Sequence, residues 1–209
     1  MANYLIIDSA VTGDASVSRK LTAELAERIA RHDPSARIVR RDVGAASIPH
    51  LAAATVSAIR GIADSDAARA TLALSDALIA EIQAADVLVI GAPMYNFGIA
   101  STLKTWFDHV LRAGVTFRYT PEGVAEGLVK DKKAIVVETR AGFYSQGPAA
   151  AMDSQEPHIR TMLGFIGIAD VTFVRAEKLA FGPEAAEAAI AGAIEQLHGL
   201  ADEELALAA

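Results

Sequence analysis

Apolar positions along this chain follow two periods that take turns. Short runs suited to strands cover Tyr4 to Asp8, Arg37 to Arg40, Val87 to Ile90, Ala134 to Thr139 and Val171 to Val174. Between them, apolar residues recur every three or four positions, the spacing of a helix with one buried face. Leu21, Leu25 and Ile29 stripe a helix from about Ser16 to His32, which Asp33-Pro34 closes because proline disfavours helical geometry in the residue before it. Leu74, Leu78 and Ile82 mark a second helix, and Leu103, Phe107, Val110 and Leu111 a third from Ser101 to Ala113. A fourth lies around His158 to Phe165, and a fifth after Pro183 carries Ile190, Ile194 and Leu197. The Ala-, Ser- and Gly-rich stretch from Val43 to Asp66 reads as a loop with a short helix, and the segment from Gly114 through Lys132 as a polar excursion. Strands alternating with helices of this length predict stacked βαβ units and a mostly parallel sheet. No repeat or linker divides the chain, so residues 1–209 are expected to form one domain.

Five such strands allow a flavodoxin-like three-layer sandwich, an α/β fold with a five-stranded parallel sheet in the order 2-1-3-4-5. The sheet then reverses direction between strands one and three, and ligands of open α/β sheets bind in that crevice, at the carboxyl ends of the strands. The loops Ser9 to Ser16, Ala92 to Ile99 and Arg140 to Gly147 would wall it. Pro93 is expected to mark where pairing of the third strand stops, since proline cannot donate to a central ladder.

Composition narrows the chemistry. The 52% hydrophobic content argues against disorder, and zero cysteines remove thiol nucleophiles, disulfides and thiolate metal sites. A formal charge of −7 disfavours a nucleic-acid partner, because phosphate backbones are held by clustered Lys and Arg. No apolar stretch approaches the roughly 20 residues that span a bilayer, and Met1 to Ala15 lacks a basic start followed by an apolar signal core. A cytoplasmic protein away from membranes is expected.

The first loop, Ser9 through Ser18, enters a helix whose free amides and dipole favour phosphate, with Ser9, Ser16 and Ser18 adding hydroxyls. Ser16 also reads as a plain helix cap, which serine favours in any case. The loop lacks G-x-G-x-x-G and the P-loop lysine, which disfavours a dinucleotide-type Rossmann site and an NTPase. In the second loop, Tyr95 and Phe97 are either core aromatics or, with Asn96 between them, the faces and edge of a site for a planar heterocycle. The third, Thr139-Arg140-Ala141-Gly142, joins small residues that permit close backbone approach to an arginine that is either a surface charge or an edge donor.

On these residues the chain resembles the FMN-dependent NADH:azoreductases, also described as NADH:quinone oxidoreductases, of the flavodoxin-like superfamily. The resemblance is densest over Ala92 to Phe97, Arg112 to Thr120, Glu126 to Val129 and Leu163 to Ile168. It implies that Ser9 and Ser16-Val17-Ser18 hold the FMN phosphate. It also implies that Met94-Tyr95-Asn96-Phe97 surround the isoalloxazine and that Thr139-Arg140-Ala141-Gly142 lie at its far edge. Val17 stands where familiar members have glutamine, Thr139 and Ala141 replace serine and glycine, and Tyr144 replaces a frequent histidine, a change expected to alter the flavin's reduction potential. The implied activity is a ping-pong transfer of two electrons from NADH to quinones or aromatic azo compounds, with no side chain acting as acid or base. Tyr119 is then a substrate contact or else a structural hairpin aromatic. The resemblance further implies a homodimer with FMN at its interface. The alternative is a flavin-binding electron carrier that docks protein partners.

His32, His50, His109, His158 and His198 lack zinc spacing and read as surface or cap residues, and no metal site is expected. Lys104, Asp108 and Arg112 recur every four residues as a solvated helix face. Asp8 and Asp14 could suggest a phospho-acceptor receiver, but Gly91-Ala92-Pro93 stands where that would need an aspartate.

Overall fold

The computed structural model describes residues 2–46 and 48–208. Met1 and Ala209, the ends of the span expected to be one domain, lie outside the described residues, as does Ser47. The elements run β1 (Asn3–Asp8), α1 (Val17–His32), β2 (Arg37–Asp42), α2 (Asp66–Ala84), β3 (Val87–Tyr95), β4 (Gly98–Ile99) and α3 (Ser101–Val110). They continue β5 (Phe117–Tyr119), β6 (Ala125–Gly127), β7 (Lys133–Thr139), α4 (Glu156–Ile166), β8 (Asp170–Ala176) and α5 (Pro183–Ala208). Among the described residues of the stretch expected to hold a short helix, Ala58–Arg60 form a short 3-10 turn.

The main sheet has the order β2-β1-β3-β7-β8, all parallel, which is the expected 2-1-3-4-5. Alternation along each strand sends side chains to opposite faces. Leu5, Ile7, Leu88, Ile90, Ala134 and Val136 pack with residues of α2, α3 and α4 on one face. Tyr4, Ile6, Val87, Val89, Ile135 and Val137 pack with α1 and α5 on the other. Strands covered on both faces need continuous apolar runs, which is why the sequence pattern located them. Among the described residues no helix is long and apolar enough to cross a membrane.

Four expectations are corrected. Pairing of β3 does not stop at Pro93: its ladder with β7 continues to Pro93–Thr139, and Met94 and Tyr95 then pair antiparallel with Ile99 and Gly98 of β4. The ladder with β1 has already ended at Asp8–Gly91, so at Pro93 one side of the strand no longer needs a donor. Second, α3 ends at Val110 rather than Ala113. Thr116 takes over there, its hydroxyl donating to the Val110 carbonyl at 2.6 Å and accepting the Arg112 amide at 2.9 Å. Third, Arg112 consequently leaves the solvated face and pairs with Asp76 of α2 at 2.6 Å, mostly buried, while Lys104 and Asp108 keep their surface pair. Fourth, His109 is buried, with its Nε2 at 2.9 Å from the Pro49 carbonyl.

The polar excursion folds into the β5–β6 hairpin, and its base is fixed to the far end of α4. The Val129 amide donates to the Ile166 carbonyl at 2.8 Å, and the Phe117 and Phe165 rings lie 4.5 Å apart. A Cβ on Gly127 would stand 2.2 Å from the Gly167 nitrogen, so only glycine permits this crossing, and Gly167 itself holds φ +109°. Because α4 starts beside the loop after β7 and runs back along the sheet, the hairpin hangs from the end opposite the site loops.

Candidate functional site

The crevice forms because β3 outreaches β1. Past Asp8 and Gly91 the β1 ladder is gone, and β3 runs on paired with β7 as far as Pro93 and then with β4 at Met94 and Tyr95, leaving a gap beside the β1 loop. Three hydrogen bonds pull the first two loops together across it. The Ser9 hydroxyl donates to the Gly91 carbonyl at 2.7 Å, the Thr102 hydroxyl donates to the Ser9 carbonyl at 2.7 Å, and the Val11 amide donates to the Tyr95 hydroxyl at 3.3 Å. The third loop joins through Tyr144, whose ring meets Phe97 edge-on with centroids 6.0 Å apart. All three predicted loops therefore converge.

At the α1 start, Ser16 caps the helix, accepting the Arg19 amide at 3.3 Å, and its hydroxyl lies 2.9 Å from that of Ser18. The amides of Val17 and Ser18 precede the first intrahelical bond and have no helical acceptor. Both readings of Ser16 thus coexist, a cap that leaves two amides and a hydroxyl pair facing the crevice. Val17 contributes backbone only, and Ser9 is wholly buried with its proton committed to Gly91.

The second loop is tighter than the sequence suggested. Asn96 and Phe97 are the two central residues of the β3–β4 hairpin, both left-handed, with φ of 47° and 70°. Such turns prefer Asn-Gly; asparagine tolerates the conformation, but phenylalanine is strained by about 1–3 kcal/mol. Ladder bonds belong to Met94, Tyr95, Gly98 and Ile99, so the Asn96 and Phe97 amides are free to meet a ligand. The Phe97 carbonyl is pinned by the Ser154 amide at 3.0 Å, and its ring is 41% exposed. Strain held against relaxation at an exposed aromatic is a mark of function.

In the third loop Thr139 is buried, Ala141 is exposed and Gly142 lies half-buried beneath Tyr144, where a Cβ would come within 2.8 Å of the ring. Arg140 is neither a surface charge nor an edge donor; it is 0% exposed. Its Nε donates to Gln155 Oε1 at 2.9 Å, Nη1 to Glu177 Oε1 at 3.2 Å, and Nη2 to Glu138 Oε2 at 2.6 Å, with Asp153 Oδ2 at 3.0 Å. Glu177 in turn accepts the Tyr144 amide at 2.8 Å and the Ser145 amide at 3.0 Å. Burial opposes its charge, yet bonds from Ser145, the Tyr144 amide and Arg140 hold its carboxyl below the ordinary value. Arg140 thus supports the loop from inside, and what faces the crevice there is backbone, Gly142 and Tyr144.

Glu138 is the exception in this cluster. It is wholly buried and, among the described residues, its Oε1 has no hydrogen-bond partner. Burial pushes its carboxyl up from 4.5 to about 7, with Glu156 and Asp153 adding to the rise and Arg140 opposing it. A carboxyl raised on folding lends stability that is complete below its unfolded value and is lost as pH climbs through the folded one. That window runs from 4.5 to about 7, and tenfold in proton affinity is about 1.4 kcal/mol. Glu138→Gln keeps an acceptor for Arg140 and is expected to flatten the fall in melting temperature between pH 5 and pH 8. A slope equal to that of the unaltered protein would show that another group titrates there.

Tyr119 is not brought to these loops. It is 62% exposed on β5, edge-on to Phe117 at 5.8 Å, on the hairpin hung from the far end of α4. Sequence reasoning missed Gln155, Asp153, Glu177 and Glu138. A signal existed for Glu138 alone, a charge inside the otherwise apolar strand Ala134 to Thr139. A separate hollow of about 320 Å³ between β2 and α2, lined by Leu5, Val39, Ala77 and Ala80 among others, holds none of the predicted residues.

These residues fit a flat cofactor with a phosphate tail. The α1 amides and serines suit the phosphate, the free amides of the strained turn suit a polar heterocycle edge, and Phe97 and Tyr144 offer apolar faces. The comparisons with known proteins point the same way. A family model described as flavodoxin-like fold matches residues 2–200. An FMN-dependent NADH:quinone oxidoreductase of Hyphomonas neptunium is 50% identical over 197 residues, covering 94% of each chain. One of Ralstonia nicotianae is 46% identical over 205 residues, 97% of this chain and 98% of its own. Among solved structures, an azoreductase from Bacillus anthracis superposes with a TM-score of 0.88 at 28% identity, over 97% of this chain and all of its own.

Proposed function

The chain belongs to the flavodoxin-like family matched over residues 2–200, and from that premise we propose that it is an FMN-dependent oxidoreductase moving two electrons from NADH to quinones and aromatic azo compounds. The observation that carries this reading is the left-handed Asn96-Phe97 turn, free amides and exposed ring together, facing an α1 start built for phosphate. Bound FMN would supply the redox chemistry, serving donor and acceptor in alternation at one place.

The chain's own part is to bind and orient. Val17 and Ser18 amides with the Ser16 and Ser18 hydroxyls hold the phosphate, the helix dipole favouring its charge. Met94, Tyr95, Asn96 and Phe97 bound the ring system on the β3 side, and Thr139, Ala141 and Gly142 on the β7 side, with Arg140 beneath them. Tyr144 is a neutral phenol, so it donates or accepts a hydrogen bond but brings no cation to the flavin. No side chain in the crevice is asked to act as acid or base, and positioning donor and acceptor in turn against one ring is the main catalytic contribution.

A homodimer completes this reading. Tyr119 and Val124, each 62% exposed, sit on a hairpin that cannot cover its own crevice from the far end of α4, whereas a second copy's hairpin can. A cytoplasmic setting suits a chain with zero cysteines and a soluble nucleotide donor. Purified protein loaded with FMN is expected to bleach on anaerobic NADH addition and to regain colour with a quinone. Colour that persists under NADH would overturn the enzyme in favour of an electron carrier, and failure to take up FMN would overturn both.

A further inference from the structure

Resting on the flavin reading above, we propose that Gln155 is a positioning residue of the reaction, tying the loop after β3 to the loop after β7 so that both sides of the cofactor site are held as one unit. Gln155 is 0% exposed and stands just before α4. Its Nε2 donates to the Ala92 carbonyl at 2.7 Å, and its Oε1 accepts Arg140 Nε at 2.9 Å. Arg140 passes the connection to Glu177, which grips the amides of Tyr144 and Ser145. Three side chains therefore link the peptide that enters the Pro93–Phe97 turn to the peptide that carries Tyr144. The neighbouring Ser154 amide holds the Phe97 carbonyl at 3.0 Å, so the same short segment fixes both ends of the turn.

The position demands an amide. A carboxamide donates to one partner and accepts from another in a single plane. Glutamate would present only acceptors and would set a negative oxygen against the Ala92 carbonyl. Methionine would leave the Arg140 Nε–H buried without its partner and would strip that carbonyl of its side-chain donor, the arrangement buried polar networks tolerate least. Nothing about folding a doubly wound sheet requires the two loops to be joined; a site whose edges must keep a fixed separation does require it.

The test uses the FMN-loaded protein with Gln155→Met and Gln155→Glu. Gln155→Met is expected to weaken FMN retention about tenfold, to displace the visible band and midpoint potential of the FMN that remains, and to lower kcat about tenfold with NADH KM changed less than threefold. Gln155→Glu keeps the Arg140 bond and is expected to show the same spectral and potential displacement with a smaller loss of melting temperature. Variants that melt lower but hold FMN with unaltered band, potential and kcat would overturn the proposal and leave Gln155 a structural residue. Should either variant fail to fold, hydrogen exchange on the unaltered protein decides: FMN should protect residues 93–98 and 142–146 together, and independent protection overturns the link. Failure of the unaltered protein to bind FMN would instead overturn the flavin reading itself.

Discussion

Replacing Arg140 with methionine is expected to remove about 3–5 kcal/mol of stability, the range found when one partner of a buried ion pair is deleted. Arg140 is the cation on which Glu138, Asp153 and Glu177 all converge, at 2.6, 3.0 and 3.2 Å. Without it, buried carboxyls face one another, and they must either take up protons or admit water by loosening the loop after β7. Arg140→Lys is expected to recover only part of the loss, because a single ammonium cannot reproduce three separated nitrogens aimed at Gln155, Glu177 and Glu138. Denaturant unfolding of the variants at pH 6 and pH 8 checks this, and the deficit of Arg140→Met should be larger at pH 8, where the carboxyls are charged. A loss below about 1 kcal/mol would mean that the cluster is hydrated and that the guanidinium is dispensable.

Gly127→Ala is the second large effect. The added methyl would come within 2.2 Å of the Gly167 nitrogen and 2.3 Å of the Ile166 carbonyl carbon, both backbone. Overpacking against mobile side chains costs about 1–3 kcal/mol. Here neither wall is a side chain that can rotate away, so the cost is expected at the top of that range or above it. The cheapest relief is to lift β6 from α4, breaking the Val129–Ile166 bond and releasing the Phe117–Phe165 contact. Protease cleavage between Tyr119 and Gly127 should therefore accelerate well before global unfolding. A cleavage rate like that of the unaltered protein would show that the seam yields without opening.

The fold was legible because each parallel strand is apolar on both faces and each helix on one. Those two periods located the five parallel strands of the main sheet, and their alternation allowed the order that the structure has. The site was half legible. Small and hydroxylated residues at the strand ends announced three loops, and the loops do meet. Sequence could not show that Asn96 and Phe97 turn left-handed, since a phenylalanine in that conformation runs against local preference and is held by Ser154, more than fifty positions away. Nor could it show Arg140 pointing inward. Its partners Gln155 and Glu177 lie on separate elements, and only the packed sheet brings them to one guanidinium. Tyr119 was legible only as an alternative, because the sequence does not say from which end of α4 its hairpin hangs, and the exposed ring stands apart from the loops of its own crevice.

That hairpin separates two kinds of inheritance. Its tip, with Tyr119 and Val124, contributes almost nothing to the core, while its base at Gly127 and Gly167 admits almost no change. The three loops of the crevice, by contrast, are wired into the interior through Arg140, Gln155 and Ser9. Mutation at the tip is therefore nearly free of folding consequences, and mutation in the crevice is not. A lineage built on this chain can diversify what the tip meets while its cradle stays fixed, so descendants should diverge in substrate range long before they diverge in cofactor.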